Sequence, residues 1–318
     1  METESPGARG MLSGKLCLVT GATSGIGLAT ARALASRGAG VIGIGRDAGR
    51  AAKAREEVAA AATGSGAPIR FDLLDLSSLE AVAAYAAKLP GRLGPGARLD
   101  VLVNCAGFYS DRRVESADGF EMQFAVNHLS HFLLTARLLP LLGASPDARI
   151  VTVSSDSHYH GRMHWTAVER SLRGLKPRLP YVGIWAYEQS KLANALFSAE
   201  LGRRTAGSTI TSFAADPGLA NTEMGLKQGP SLGAVFWNLH KRGGTSPDVP
   251  AAAIARLASE PALAGRTGLY WKNGVEQRPS DRALDATSAL RLWELSEAFI
   301  AAALGTGGPD TGRRQDDR

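Results

Sequence analysis

The chain has 318 residues, a formal net charge of +6, 21% charged residues and 44% hydrophobic ones, which excludes global disorder and leaves enough apolar surface for one large α/β core. There is no Lys/Arg run or basic–aromatic interleaving to track a phosphate backbone, so no nucleic-acid partner is expected, and no run of about eighteen apolar residues predicts a membrane span. Cys17 and Cys105 sit in apolar runs rather than a disulfide framework, and the opening "METESPGARGMLSGK" lacks an apolar signal core, so a reducing, cytoplasmic location is expected.

"KLCLVTG" (15–21) is a short apolar run closing on glycine, and "LATARALASRG" (28–38) follows with helical periodicity and a glycine stop. "GVIGIG" (40–45) predicts a second strand, "AGRAAKAREEVAAAA" a second helix, "PIRFDLLDL" a third strand and "SLEAVAAYAAKL" a third helix. "LDVLVNCAG" predicts a fourth strand, 120–142 one or two helices, and "ARIVTVSS" a fifth strand. The segment around "WAYEQSKLANALF" (185–197) reads as a helix to about Arg204, "STITSFAAD" as a sixth strand, an Ala-rich helix starts near Pro250, and "GLYW" (268–271) is a short seventh strand. Strands alternating with helices predict a Rossmann-type, doubly wound parallel sheet of about seven strands with helices on both faces. No linker divides it. The expected organisation is a flexible N-terminus over 1–12, one catalytic domain over 13–304 and a disordered tail over 305–318, where a Gly-rich charged run has little to bury.

"TGATSGIG" (20–27) is a glycine-rich turn between the first strand and first helix, a place where backbone approaches a pyrophosphate and helix N–H groups meet its charge, or else only a tight turn. Its spacing, G-x-x-x-G-x-G, is not the G-x-G-x-x-G fingerprint. Arg46 follows the second strand directly, where an arginine accommodates a 2′-phosphate, while Asp47 falls at a helix N-cap position and Arg50 adds charge. This favours NADP(H) as cofactor, with NAD(H) as the alternative; otherwise Arg46 is an ordinary surface residue. Tyr187 and Lys191 stand four apart on one helical face, a spacing that lets an ammonium make a phenol usable for proton transfer, though such pairs also occur on solvated helices.

Taken in order, "TGATSGIG", "NCAG", the "SS" closing a strand, "YEQSK" and "DPG" resemble the short-chain dehydrogenase/reductase family in its classical branch, over roughly 15–271. "NHLSHFLLT" and "SKLANALF" are most similar to its retinol-dehydrogenase and WW-domain oxidoreductase members, which act on lipophilic carbonyls and alcohols. The resemblance implies that Ser155 hydrogen-bonds the substrate oxygen, with Ser154 as its rival, that Tyr187 exchanges the proton, that Lys191 lowers its pKa, and that Asn127 holds a water leading to the lysine. For the cofactor it implies Gly21, Thr23, Ser24, Gly25, Ile26 and Gly27 at the phosphates, and Asp75 and Leu76 near the adenine with Asp72 as a rival. Asn104, Ala106 and Gly107 would lie under the ribose, Pro217, Gly218 and Thr222 at the nicotinamide end, and Tyr187 and Lys191 at the ring.

The interval between Ser155 and Tyr187 exceeds the family's usual length, and this insert (156–186), with a second segment over 223–250, is expected to border the substrate. His158 and Tyr159 from the first and Met224, Phe236 and Trp237 from the second are the candidate substrate contacts, the last three as a lid or else as core packing or a subunit contact. The histidines at 158, 160 and 164 lack a matched carboxylate or cysteine set, so no metal is expected. Leu192, Ala195, Leu196 and Ala199 form an apolar stripe that would serve a homodimer or homotetramer contact or an ordinary core face. The expected partner is a small-molecule carbonyl or alcohol. Two other functions stay open: a redox-neutral natural-product tailoring enzyme using the same phenol, and a non-catalytic NADP(H)-binding sensor or scaffold.

Overall fold

The computed structural model describes residues 10–63, 68–172, 180–220 and 244–306. Eight strands form one sheet in the order β3-β2-β1-β4-β5-β6-β7-β8. β1 (Leu16–Thr20), β2 (Gly40–Gly45), β3 (Ile69–Leu73), β4 (Val101–Asn104), β5 (Ala148–Val153), β6 (Ile210–Asp216) and β7 (Leu269–Lys272) run parallel, as expected. β8 (Val275–Gln277) was not foreseen and is antiparallel to β7. It is joined through Asn273 and Gly274, both at positive φ, the two-residue turn that an Asn-Gly pair favours.

The central strands look uniformly apolar because both faces are covered, and successive side chains feed opposite layers. Leu18, Leu102 and Ile150 join the layer made by α3 (Leu79–Leu93), α5 (Ser130–Gly143) and α7 (Gly183–Arg204). Val19, Val101, Val103 and Val151 join the opposite layer, with α1 (Gly25–Ala35), α2 (Ala48–Ala61) and α8 (Asp248–Ser259). The expected helices over 120–142 are one continuous run: a short turn, α4 (Met122–Phe124), passes through a π-helical stretch (Ala125–Leu129) into α5. The stripe on α7 is a core face, since Leu192, Ala195 and Leu196 are buried by the chain's own residues.

Two further helices, α9 (Asp281–Leu284) and α10 (Ala286–Ala303), follow β8 and were not read from the sequence. α10 is capped by the Asp285 carboxylate and closes over α5 and α7: Trp293 stacks edge-on against Phe132 at 4.7 Å and Phe299 against Phe120 at 4.9 Å. It ends at Gly305 with φ +64, where the Thr306 N–H bonds back to the Ala301 carbonyl. At the other end the domain begins before residue 13, because Leu12 is buried and its N–H donates to the Arg37 carbonyl. Residues 1–9 and 307–318 lie outside the described residues.

Candidate active site

A cleft of about 900 Å³ opens at the carboxyl ends of β1, β4, β5 and β6, where the strand order reverses between β1 and β4. One end is the turn after β1. Gly21 has φ +67, and a Cβ there would lie 2.8 Å from the Ala106 Cα; at Gly27 it would lie 2.3 Å from the Gly21 carbonyl oxygen. Side chains would therefore fill this cradle with atoms that cannot give way. Thr23, Ser24, Gly25 and Ile26 also line it, and Ser24 stands at the N-cap of α1 without capping through its hydroxyl, leaving amides of the first turn to an outside acceptor. The geometry fits a pyrophosphate.

At the far end Arg46, Arg50 and Lys53 line the cleft. Asp47 is the N-cap of α2, accepting the Arg50 N–H at 2.8 Å. Asp75 and Leu76 border the cleft, whereas Asp72 is buried under Tyr85 and Arg92 at 2.8 and 2.7 Å and is structural. Ala106 and Gly107 line the floor. Asn104 does not: its amide is buried, donating to Thr135 and Thr152, and its Oδ1 has no hydrogen-bond partner. Sequence reasoning missed Thr20 and His131. The Thr20 hydroxyl oxygen accepts the N–H groups of Cys105 and Ala106 at 2.9 and 3.0 Å, fixing the floor to β1, and meets His131 Nε2 at 2.9 Å. Burial drives the His131 pKa down to about 4, so the ring is neutral.

Ser155, Tyr187 and Lys191 line the same cleft. Lys191 Nζ lies 5.5 Å from the centre of the Tyr187 ring and donates to the Val153 carbonyl at 3.1 Å. Burial lowers its pKa to about 8, while Cys105 and Asp216 act the other way. The Tyr187 phenol is pushed well above its ordinary value by burial, pulled back by a hydrogen bond with Ser155 and raised further by Asp216. Ser155 is the group that eases the phenol's upward shift here. Ser154 is engaged elsewhere, its hydroxyl donating to the Lys191 carbonyl at 2.9 Å. Ser155 also caps the 3₁₀ turn Asp156–Tyr159 by accepting the Ser157 N–H at 3.2 Å. Asn127 is fully buried and reaches neither the lysine nor the cleft with its side chain, which clamps Phe108 through both main-chain groups at 2.7 and 3.0 Å and donates to Ser190 Oγ at 2.9 Å.

A family model described as short chain dehydrogenase matches residues 15–168. Retinol dehydrogenase 14 of Mus musculus is 37% identical, with 92% of this chain and 88% of that protein covered. The chain belongs to the short-chain dehydrogenase/reductase family. Polyprenol dehydrogenase of Mus musculus is 37% identical over 93% of this chain and 86% of its own. A crystal structure of an uncharacterised protein from Mycobacterium paratuberculosis superposes with a TM-score of 0.67 at 33% identity, covering 91% of this chain and 94% of that one. The chain is accordingly an oxidoreductase of alcohol and carbonyl groups, in a family that binds NAD(P)(H).

Within this short-chain dehydrogenase the histidine expected at the substrate is placed elsewhere. His158 is fully buried and absent from the cleft lining: its Nε2 accepts the Ser280 N–H at 3.1 Å, so Nδ1 carries the proton and donates to the Ser155 carbonyl at 2.8 Å. It holds the turn that presents Ser155. Tyr159 lies on a separate surface groove, its hydroxyl donating to the Arg278 carbonyl at 2.9 Å. Among the described residues the insert reaches the cleft at its ends, through Asp156, Ser157 and Ile184, while α6 (Trp165–Leu172) packs on α10 through the Glu169–Arg291 ion pair and the Arg291 guanidinium over the Trp165 ring. Tyr109, also missed, lines the cleft edge-on to Tyr187 at 5.7 Å. Pro217 and Gly218 line it as expected; Thr222, Met224, Phe236 and Trp237 lie outside the described residues. No helix among the described residues is long and apolar enough to cross a membrane, and no group of three or more candidate metal ligands occurs among them.

Proposed function

We propose that the chain is an NADP(H)-dependent reductase of ketones or aldehydes on a lipophilic small molecule, working in reverse as an alcohol dehydrogenase, with Tyr187 as the proton donor. The observation that carries this is the meeting of Tyr187, Ser155 and Lys191 in one cleft whose other end is the glycine cradle. Gly21 to Gly27 and the first turn of α1 would hold the pyrophosphate, Asp75 and Leu76 the adenine side, and Pro217, Gly218 and Thr222 the ring. Arg46, with Arg50 beside it, would hold the 2′-phosphate; Asp47 is engaged as a helix cap rather than offered to a 2′-hydroxyl, which supports NADP(H) over NAD(H).

A bound nicotinamide supplies the hydride for the carbonyl carbon. The chain supplies the proton and the alignment. Ser155 holds the carbonyl oxygen, and Tyr187, kept neutral by burial, donates its proton to that oxygen. Lys191, with a pKa of about 8, is still largely cationic at neutral pH and stabilises the phenolate left behind. Asn127 acts by fixing the loop at Phe108 against α7. The lipophilic preference is supported by Phe108, Tyr109, Met122, Val126, Ile184 and Leu219 in the lining of the cleft, and by relatives named for retinol and polyprenol.

The test is oxidation of NADPH with a panel of lipophilic aldehydes, steroid ketones and aromatic ketones, together with alcohols plus NADP+. Turnover with some member, its loss in Tyr187→Phe and retention of NADPH binding in that variant are expected. Absence of turnover in both directions with intact cofactor binding would overturn the reading in favour of a redox-neutral or non-catalytic role.

A further inference from the structure

β6 ends in Asp216, which is 3% exposed at the edge of the same cleft. Its Oδ1 accepts the Gly218 N–H at 2.9 Å and its Oδ2 the Tyr270 hydroxyl at 3.1 Å. Asp156 lines the cleft beside it, and the two carboxyl groups act on one another, Asp216 being pushed up and Asp156 down from the ordinary carboxylate range. Two neighbouring carboxylates repel when both are ionised, which favours holding one proton between them as pH falls. Asp156 in turn holds Lys272 Nζ with both oxygens at 2.7 Å, and Lys272 stands opposite Asp216 in the β6–β7 register.

The groups facing the pair are therefore Lys272 and Tyr270 from β7, His158 from the 3₁₀ turn, whose Nδ1 lies 3.2 Å from the Tyr270 hydroxyl, and Tyr187 and Lys191 from α7. With one shared proton, two carboxyls and one ammonium sum to zero. Without it the cluster carries one negative charge beside Ser155 and next to Pro217 and Gly218. The mechanism does not use this charge, but it lies at the end of the cleft assigned above to the nicotinamide.

We propose that Asp156 and Asp216 form a proton-sharing pair that sets the preference of the cleft between the oxidised and reduced cofactor. The inference rests on the reading that a nicotinamide ring occupies that end. The oxidised ring is cationic and the reduced ring neutral, so the anionic pair favours the oxidised form and the protonated pair removes that advantage. Burial first, and Asp156 next, lift the Asp216 pKa to about 6, which places the change near pH 6. The protonated pair suits reduction, since it does not retain the oxidised product.

The experiment measures Kd for NADP+ and NADPH separately, by quenching of protein fluorescence, between pH 5 and 8 without substrate, with NAD+ and NADH as a second pair of probes. The ratio Kd(NADP+)/Kd(NADPH) is expected to fall about tenfold across this range, the size of a unit charge acting over several ångströms in a partly screened cleft. Titration of the 2′-phosphate is common to both forms and cancels. Asp216→Asn should hold the ratio near its low-pH value at every pH. Asp156→Asn, which removes the proton-sharing partner, should move the transition to lower pH. A flat ratio in the unmodified protein, or an unchanged pH-dependent ratio in Asp216→Asn, overturns the proposal while leaving the cofactor assignment intact. Failure of every probe to bind overturns both.

Discussion

Replacing Lys191 by methionine should make the cofactor-free protein more stable while abolishing turnover. The lysine is 2% exposed, and burial lowers its pKa from an ordinary 10.5 to about 8. Each tenfold of proton affinity being roughly 1.4 kcal/mol, the folded state at pH 7 carries the ammonium at about 3 kcal/mol relative to the unfolded chain. Methionine has a similar reach and no charge, and the Val153 carbonyl keeps a partner, because Asn194 Nδ2 also donates to it at 3.0 Å. A net gain of about 2 kcal/mol follows after the lost hydrogen bond is allowed for, or a rise in Tm of roughly 3 °C in a chain of this size. The signature is its pH dependence. Between 8 and 10.5 the unfolded chain binds the lysine proton and the folded one does not, so the unmodified protein recovers stability as pH rises through this window. Urea denaturation of both proteins at pH 7, 9 and 10.5 should show the advantage of Lys191→Met shrinking to nothing at the top. A variant that is less stable at pH 7, or that differs by the same amount at every pH, would refute the assignment of a buried ammonium held at a cost.

Three further substitutions test the frame of the cleft. Gly27→Ala would set a methyl 2.3 Å from a backbone oxygen, so a loss of about 2 kcal/mol or more in urea denaturation and loss of NADPH binding by fluorescence are expected together. Asn127→Ala strands both main-chain groups of Phe108 and should cost about 3 kcal/mol in the same denaturation assay. Arg46→Glu should raise the KM for NADPH relative to NADH by at least about tenfold in steady-state kinetics, since Arg46 lines the end of the cleft proposed above for the 2′-phosphate, the one group that distinguishes them.

The sheet was legible because parallel strands covered on both sides are short apolar runs, and "GVIGIG" coincides with β2. The cleft was legible where function depends on main-chain shape or on helical spacing: the glycines after β1, and Tyr187 with Lys191 on α7. What escaped is of a different kind. α10 had a readable stripe in Ala289, Leu292, Trp293, Ser296, Phe299 and Ile300, but its partners on α5 and α7 are far away in sequence, so nothing local marked it as a clamp. Asn273-Gly274 announced the β8 hairpin by turn chemistry that an apolar-run search passes over. His158 was misplaced because a polar, aromatic-rich segment reads as surface, whereas Tyr270 and Ser280, which bury it, arrive from the other end of the chain. The contact between Asp156 and Asp216 is likewise invisible to spacing, each looking like an ordinary strand-end residue.

The closure of α10 over α7 also orders events during synthesis. The helix bearing Tyr187 is buttressed by residues translated much later, with Arg204 lying 4.2 Å over the Trp293 ring. Nascent chains that have extruded every glycine and the tyrosine–lysine turn still lack the wedge against which that helix seats, so competence for chemistry arrives abruptly, after 286–303 have emerged, rather than accumulating strand by strand.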